Sequence, residues 1–164
     1  MIFTILLVLP PIFLPTFVKM FQNSEFDKFK TVIILTVTFI IAVAIFTLSV
    51  CYYFGTSVIT FLFASEYTQA SFLLTPLTLG VLFYGGGLFF QQMLLALNQE
   101  LTIVTICLGI SFLNLIWHYI FTSKYGAVAA AYTTLATNTV YMLSCLSALL
   151  FLTKNFTERR AKHE

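Results

Sequence analysis

Residues 62–100, LFASEYTQASFLLTPLTLGVLFYGGGLFFQQMLLALNQE, decide how the rest of the chain is read. The stretch opens on a short polar crossing (Ser65, Glu66, Tyr67, Thr68, Gln69). It continues as a long charge-free run and closes on a second crossing at Asn98, Gln99 and Glu100. An apolar run of that length spans the roughly 30 Å hydrocarbon core at about 1.5 Å per residue with some to spare. Yet Pro76, Gly80, the triplet Gly85, Gly86 and Gly87, and the amides Gln91 and Gln92 all lie inside it. Such residues break helices in water. In a membrane they are tolerated where neighbouring helices or a water-filled cavity satisfy the freed backbone groups. The stretch therefore predicts a broken or bent transmembrane helix that faces protein, with Pro76, Gly85, Gly86 and Gly87 as the bending positions.

The composition agrees. Hydrophobic residues make up 60% of the 164 and charged residues only 9%, against about 25% charged in soluble domains. So few charges cannot cover a water-facing surface, and the expected fold is an all-α integral membrane protein. The net charge of +2 lies in loops and tail and gives no indication of a nucleic-acid partner. Cys51, Cys107 and Cys145 fall far apart in apolar runs, without histidine neighbours. They read as packing residues rather than as a disulfide framework or a metal site. The start, MIFTILLVLPP, has neither a basic region nor a small-residue cleavage site and makes a poor signal peptide.

Charged residues divide the chain into five expected spans, at about 2–18, 31–54, 72–97, 102–121 and 127–152. The first is ragged, with Pro10, Pro11 and Pro15; the second is apolar all round, as a lipid-facing helix should be. A polar loop is expected at 19–30, and an outer crossing at 55–71 that includes a short interfacial helix. A basic tail is expected at 153–164. With five spans, Lys19, Lys28, Lys30, Lys154, Arg159, Arg160 and Lys162 share one side and only Lys124 the other. Excess lysine and arginine mark the cytoplasmic side, so the tail is expected in the cytoplasm.

Three stripes carry polar residues at helical spacing. Gly80, Tyr84, Gly87 and Gln91 form one, and Cys107, Ser111, Asn114 and His118 the next. Gly126, Ala130, Thr134, Thr137, Asn138, Tyr141 and Ser144 form the third. Small and hydroxylated residues of this kind serve helix packing, since they allow close approach and hydrogen-bond across the interface. The competing reading is that the stripes jointly line a polar passage, with Tyr84, Gln91, Asn114, His118, Thr134, Asn138 and Tyr141 as its candidate lining. His118 invites a second reading, as a proton-coupling group, although its place beside Trp117 and Tyr119 also suits an interfacial histidine. No catalytic signature is found: two histidines exclude a histidine-box oxygenase, no acidic pair lies at helical spacing inside a span, and there is no G-x-S-x-G. A non-enzyme without cofactor or metal is expected.

The ordered pieces resemble a known pattern. Pro11 and Pro15, with the polar loop through Glu25 and Lys28, resemble a proline-bearing helix and its following cytoplasmic loop. Leu62-Phe63-Ala64-Ser65-Glu66-Tyr67, followed by Ala70, Leu73 and Leu74, resembles an external crossing in which glycine is usual at the position of Ala64. Leu95-Ala96-Leu97-Asn98-Gln99-Glu100 resembles a short cytoplasmic turn, Asn114 falls where the next helix commonly carries asparagine, and Tyr125 to Ala131 with Thr133 and Thr134 resembles the start of the helix after it. In order and spacing the chain is similar to the C-terminal part of a polysaccharide or O-antigen-type flippase of the multidrug/oligosaccharidyl-lipid/polysaccharide exporter superfamily.

That resemblance implies part of the C-terminal bundle of a transporter of twelve to fourteen helices. It implies a multi-pass protein of a bacterial or archaeal cytoplasmic membrane. Its partners would be membrane lipids and a lipid-linked oligosaccharide, which it would flip for surface polysaccharide assembly. No lysine or arginine lies within a span to meet a diphosphate head group. The sequence is therefore expected to be a partial reading frame lacking an N-terminal half, or to pair with another half-transporter. A multidrug or toxin exporter of the same superfamily is the alternative, as is a non-transporting interaction protein or inactive remnant.

Overall fold

The computed structural model describes the backbone of residues 2–23, 26–62 and 71–161 and the side chains of 10–23, 28–61 and 71–154. Every element among these residues is a helix: α1 (Ile2–Gln22), α2 (Phe26–Leu62), α3 (Ser71–Ala96), α4 (Glu100–Trp117), a π-helical turn (His118–Thr122) and α5 (Ser123–Ala161). Helix is what lipid demands, because only an intra-segment ladder satisfies each backbone N–H and C=O without water. The hydroxyls follow the same rule. Ser49, Thr60, Thr78, Thr105, Thr133, Thr134, Thr137, Thr139 and Thr153 each donate to the carbonyl four residues earlier. They are thereby satisfied within their own helices.

Among the described residues three stretches are long and apolar enough to cross a membrane, Lys28–Phe61, Ser71–Ala96 and Glu100–Lys154, and not the five expected. The expected spans at 102–121 and 127–152 merge because α4 passes through the π turn into α5 without an intervening loop. As a straight rod the 55-residue stretch would measure about 80 Å. It is not straight. Gly126 leaves helical geometry at φ 63°, ψ −142°, and His118 Nε2 lies 3.5 Å from Thr133 Oγ1, where a straight helix would separate them by about 22 Å. The chain folds back on itself at Gly126. The first expected span falls within α1, whose residues before Pro10 have no described side chains and which is not among the three.

The connections also differ from expectation. The polar loop foreseen at 19–30 is largely helical: Lys19 closes α1, while Lys28 and Lys30 lie in the opening turns of α2. Helix α2 runs through Gly55 to Leu62 where a crossing was expected. The polar crossing Ser65–Gln69, with Ala64, Glu66 and Tyr67 of the external motif, lies outside the described residues.

Between α3 and α4 only Leu97, Asn98 and Gln99 remain. Asn98 takes φ 56°, the left-handed conformation that asparagine accepts more readily than most residues. The Gln99 N–H bonds Leu94 O at 3.1 Å and the Asn98 N–H bonds Leu95 O at 2.9 Å, so the last carbonyls of α3 are capped.

Helix directions follow from the contacts. Ile40 meets Gly86, and Cys51 Sγ lies 3.7 Å from Thr78 Oγ1, so α2 runs antiparallel to α3. Gly80 meets Leu135 and Asn138 while Gly87 meets Tyr141 and Met142, so α3 and α5 run parallel. The core gathers where α1 and α3 end and α2 begins. There Phe17 lies 6.3 Å from Phe29 and 5.3 Å from Phe89 between ring centroids, and Phe90, Met93, Leu94 and Leu149 are fully buried. The opposite end displays Tyr52, Tyr53, Phe61, Tyr119 and Tyr125, all exposed, the placement of aromatic residues at a membrane–water boundary.

Candidate functional site

Helix α3 does not break where the sequence led us to expect. It is one helix from Ser71 to Ala96, through Pro76 and the glycine triplet. Those residues are buried instead. A Cβ on Gly86 would come within 2.6 Å of Ile40 Cδ1, a Cβ on Gly80 would lie 3.4 Å from the Leu135 backbone, and one on Gly87 would overlap the Tyr141 ring. The glycines remove side chains where α2 and α5 press closest, and this lets backbones approach as small residues do in membrane bundles.

Close approach brings polar groups together. The Asn138 Nδ2–H donates to the Gly80 carbonyl at 3.0 Å, across the contact that Gly80 opens. The Tyr141 hydroxyl donates to Gln91 Oε1, and the Tyr141 and Tyr84 rings lie 5.8 Å apart. The whole α3 stripe (Gly80, Tyr84, Gly87, Gln91) therefore faces α5 and meets Asn138 and Tyr141. Thr137 is buried, with its hydroxyl bonded to Thr133 O at 2.7 Å; Thr134 likewise returns its hydroxyl to Ala130 O at 2.8 Å.

The α4 stripe is arranged differently. Ser111 is exposed and Cys107 packs on the edge of the core. Asn114 has its Oδ1 buried with no hydrogen-bond partner. One turn on, His118 Nδ1 lies 3.1 Å from Thr122 Oγ1, and its Nε2 reaches Thr133 on α5. Of the seven candidate lining residues, Tyr84, Gln91, Asn138 and Tyr141 are thus gathered in one seam and His118 in another. Thr134 is turned back on its own helix, and Asn114 is left without a partner for its carbonyl.

Three participants escape a reading of the sequence. Ile40, Thr122 and Thr133 each complete a contact, and only Thr122, four residues beyond His118, carries a local signal of it. Among the described residues no three histidine, cysteine, aspartate or glutamate side chains are grouped as metal ligands. The three cysteines are free. No protein-family model, curated protein or solved structure matches the chain.

Proposed function

We propose that this chain forms part of the helix bundle of a membrane transporter, and that its cargo is a lipid-linked oligosaccharide flipped across a bacterial or archaeal cytoplasmic membrane for surface polysaccharide assembly. The observation that carries this reading is the position of α5. It bears the longest polar run and contacts both α3 and α4, the other two polar-striped helices; the α3 stripe meets it along Asn138 and Tyr141, and the α4 stripe reaches it at His118. A sugar head group needs such a polar route, because dragging it through hydrocarbon leaves its hydroxyls unpaired. The order and spacing of the motifs from Pro11 to Thr134 support the superfamily resemblance, and the lack of a charged residue within an expected span, where a drug exporter would bind cation or proton, favours the flippase over that alternative. In the described apolar stretches Lys28, Lys30 and Lys154 lie near the ends, and Lys124 lies beside the reversal at Gly126. The charge partners of a diphosphate would then come from a further N-terminal bundle or a partner half-transporter.

A second reading rests on a specific observation: Tyr141 is bonded to Gln91, and Asn138 to Gly80, within the bundle itself. Polar groups so paired can hold helices together with no cargo, as in a non-transporting membrane protein. Single replacement of Gln91, Asn114 and Asn138 by alanine in the polysaccharide-producing host separates the two readings. Transport predicts loss of surface polysaccharide at normal protein abundance, whereas unchanged polysaccharide in all three variants removes the transport role. For orientation, a periplasm-active reporter fused after Lys124 should be active and one fused after Arg160 silent. The reverse pattern overturns the cytoplasmic placement of the tail.

A further inference from the structure

His118 sits eight residues before Gly126 and Thr133 seven after it, so the two lie opposite each other on the arms of the α4–α5 reversal. They are also the residues that a hydrogen bond joins across it, at 3.5 Å between Nε2 and Oγ1. Which of them donates follows from the rest of the network. Thr133 has one hydroxyl proton, and it is already directed at Ala129 O (2.8 Å) and Ala130 O (3.1 Å). With the proton directed to these nearer carbonyls Thr133 accepts toward His118, and the imidazole then presents N–H at Nε2. In the neutral ring Nδ1 is then an acceptor, and the hydroxyl 3.1 Å away on Thr122 is the donor that fits it.

The groups form one directed chain, Thr122 O–H to Nδ1, Nε2–H to Thr133 Oγ1, and Thr133 O–H to the α5 backbone at Ala129. The π-helical turn His118–Thr122 lies within it, and a π turn inserted in an α-helical run commonly marks a position with a task. The contact joins α4 to α5 near the reversal, in a segment where most side chains of residues 115–128 are exposed.

We propose that His118 is the positioning residue of the α4–α5 hairpin, clasping the two arms by donating its Nε2–H to Thr133. This assigns the histidine a task other than proton coupling and does not depend on what, if anything, the bundle transports. The tautomer is measurable. The chain has two histidines; with the other replaced (His163→Gln), ¹⁵N-histidine NMR in lipid nanodiscs at alkaline pH reports His118 alone. The expected spectrum has a protonated-type shift at Nε2 and an unprotonated-type shift at Nδ1.

Thr133→Val removes the acceptor and should move population toward the Nδ1–H form. A dominant Nδ1–H tautomer in the parent, or a tautomer indifferent to Thr133→Val, overturns the assignment. A second measurement serves if Thr133→Val does not fold. His118→Gln places an amide N–H near the position of Nε2 and should keep most of the parent's melting temperature. His118→Asn reaches only the place of Nδ1 and should lose as much as His118→Ala. Equal losses for the glutamine and asparagine variants would overturn the clasp.

Discussion

Helix α5 has two seams, and they are built on opposite principles. Toward α3 it meets glycines, and α3 gives up side-chain volume there to the larger residues of α5. The backbones close in, and the amides and the tyrosine hydroxyl find partners across the gap. Toward α4 the contact is thin: Ile103 is the buried residue of α4, Gly109 has nothing within 4 Å of its Cβ position, and Leu101, Leu108, Phe112, Leu115 and Tyr119 are exposed. Glycine is present on both helices, yet only on α3 does it create an interface. The difference lies in what stands opposite, a close-packed ring and backbone at Gly87 and open space at Gly109.

Lipid tails are as apolar as leucine, so burial alone does not drive one membrane helix onto another. Dispersion contacts and interhelical hydrogen bonds decide. By that measure the α3–α5 seam is the fixed part of the molecule, and α4 is attached to it by Ile103 and Cys107 at the core, by the His118–Thr133 contact, and by the capped turn at Asn98 and the reversal at Gly126.

The contrast fails most visibly if the α3 seam tolerates bulk. Gly87→Leu should cost about 3 kcal/mol, the upper range for over-packing a filled site, because the Tyr141 ring and the Met142 backbone occupy the space. Chemical unfolding in detergent or nanodiscs measures it, and a neutral result would dissolve the distinction between the seams. Next comes the reversal. Gly126→Ala should cost about 2 kcal/mol, since φ 63°, ψ −142° is a region that residues with a Cβ occupy only under strain. The same variant tests whether backbone conformation, rather than space, selects glycine there, because no atom lies within 4 Å of its Cβ position.

A double-mutant cycle of Tyr141→Phe and Gln91→Leu should give a coupling of about 1 kcal/mol, typical of interhelical hydrogen bonds in membranes. Zero coupling would reduce the α3 seam to shape alone. The smallest effect has the opposite sign. Gly109→Ala lies in a helix interior with open space around it and should stabilise by about 0.5 kcal/mol through helix propensity. A loss there would show that α4 has a close neighbour after all.

Several features were legible before any coordinates. The scarcity of charge announced helices in a membrane, and helical spacing placed Gly80, Tyr84, Gly87 and Gln91 on one face. It also placed Asn138 and Tyr141 together, and the structure joins these two groups. Of the broken or bent α3 that was expected, the break does not form, because glycine is ambiguous in sequence. It marks a break where the backbone needs positive φ, as at Gly126, and a close approach where a neighbour needs room, as at Gly86 and Gly87. The polar stripe of α5 was similarly ambiguous, since its spacing does not show that Thr134 and Thr137 donate their hydroxyls to their own helix.

The number of spans was misjudged for a related reason. Lys124 and Gly126 read as a loop between two helices, whereas one non-helical residue suffices to reverse a chain that stays hydrogen-bonded on either side.

By itself the sequence determined that the chain is helical and apolar enough to cross a membrane, because composition and periodicity fix what each segment can bury and whether its backbone must satisfy itself. Only the tertiary structure decided which polar groups are spent on one another and which, like the carbonyl of Asn114, are left over. A hydrogen bond between Gly80 and Asn138, or between His118 and Thr133, depends on where a second helix comes to rest, and nothing in the local pattern of either helix encodes that distance.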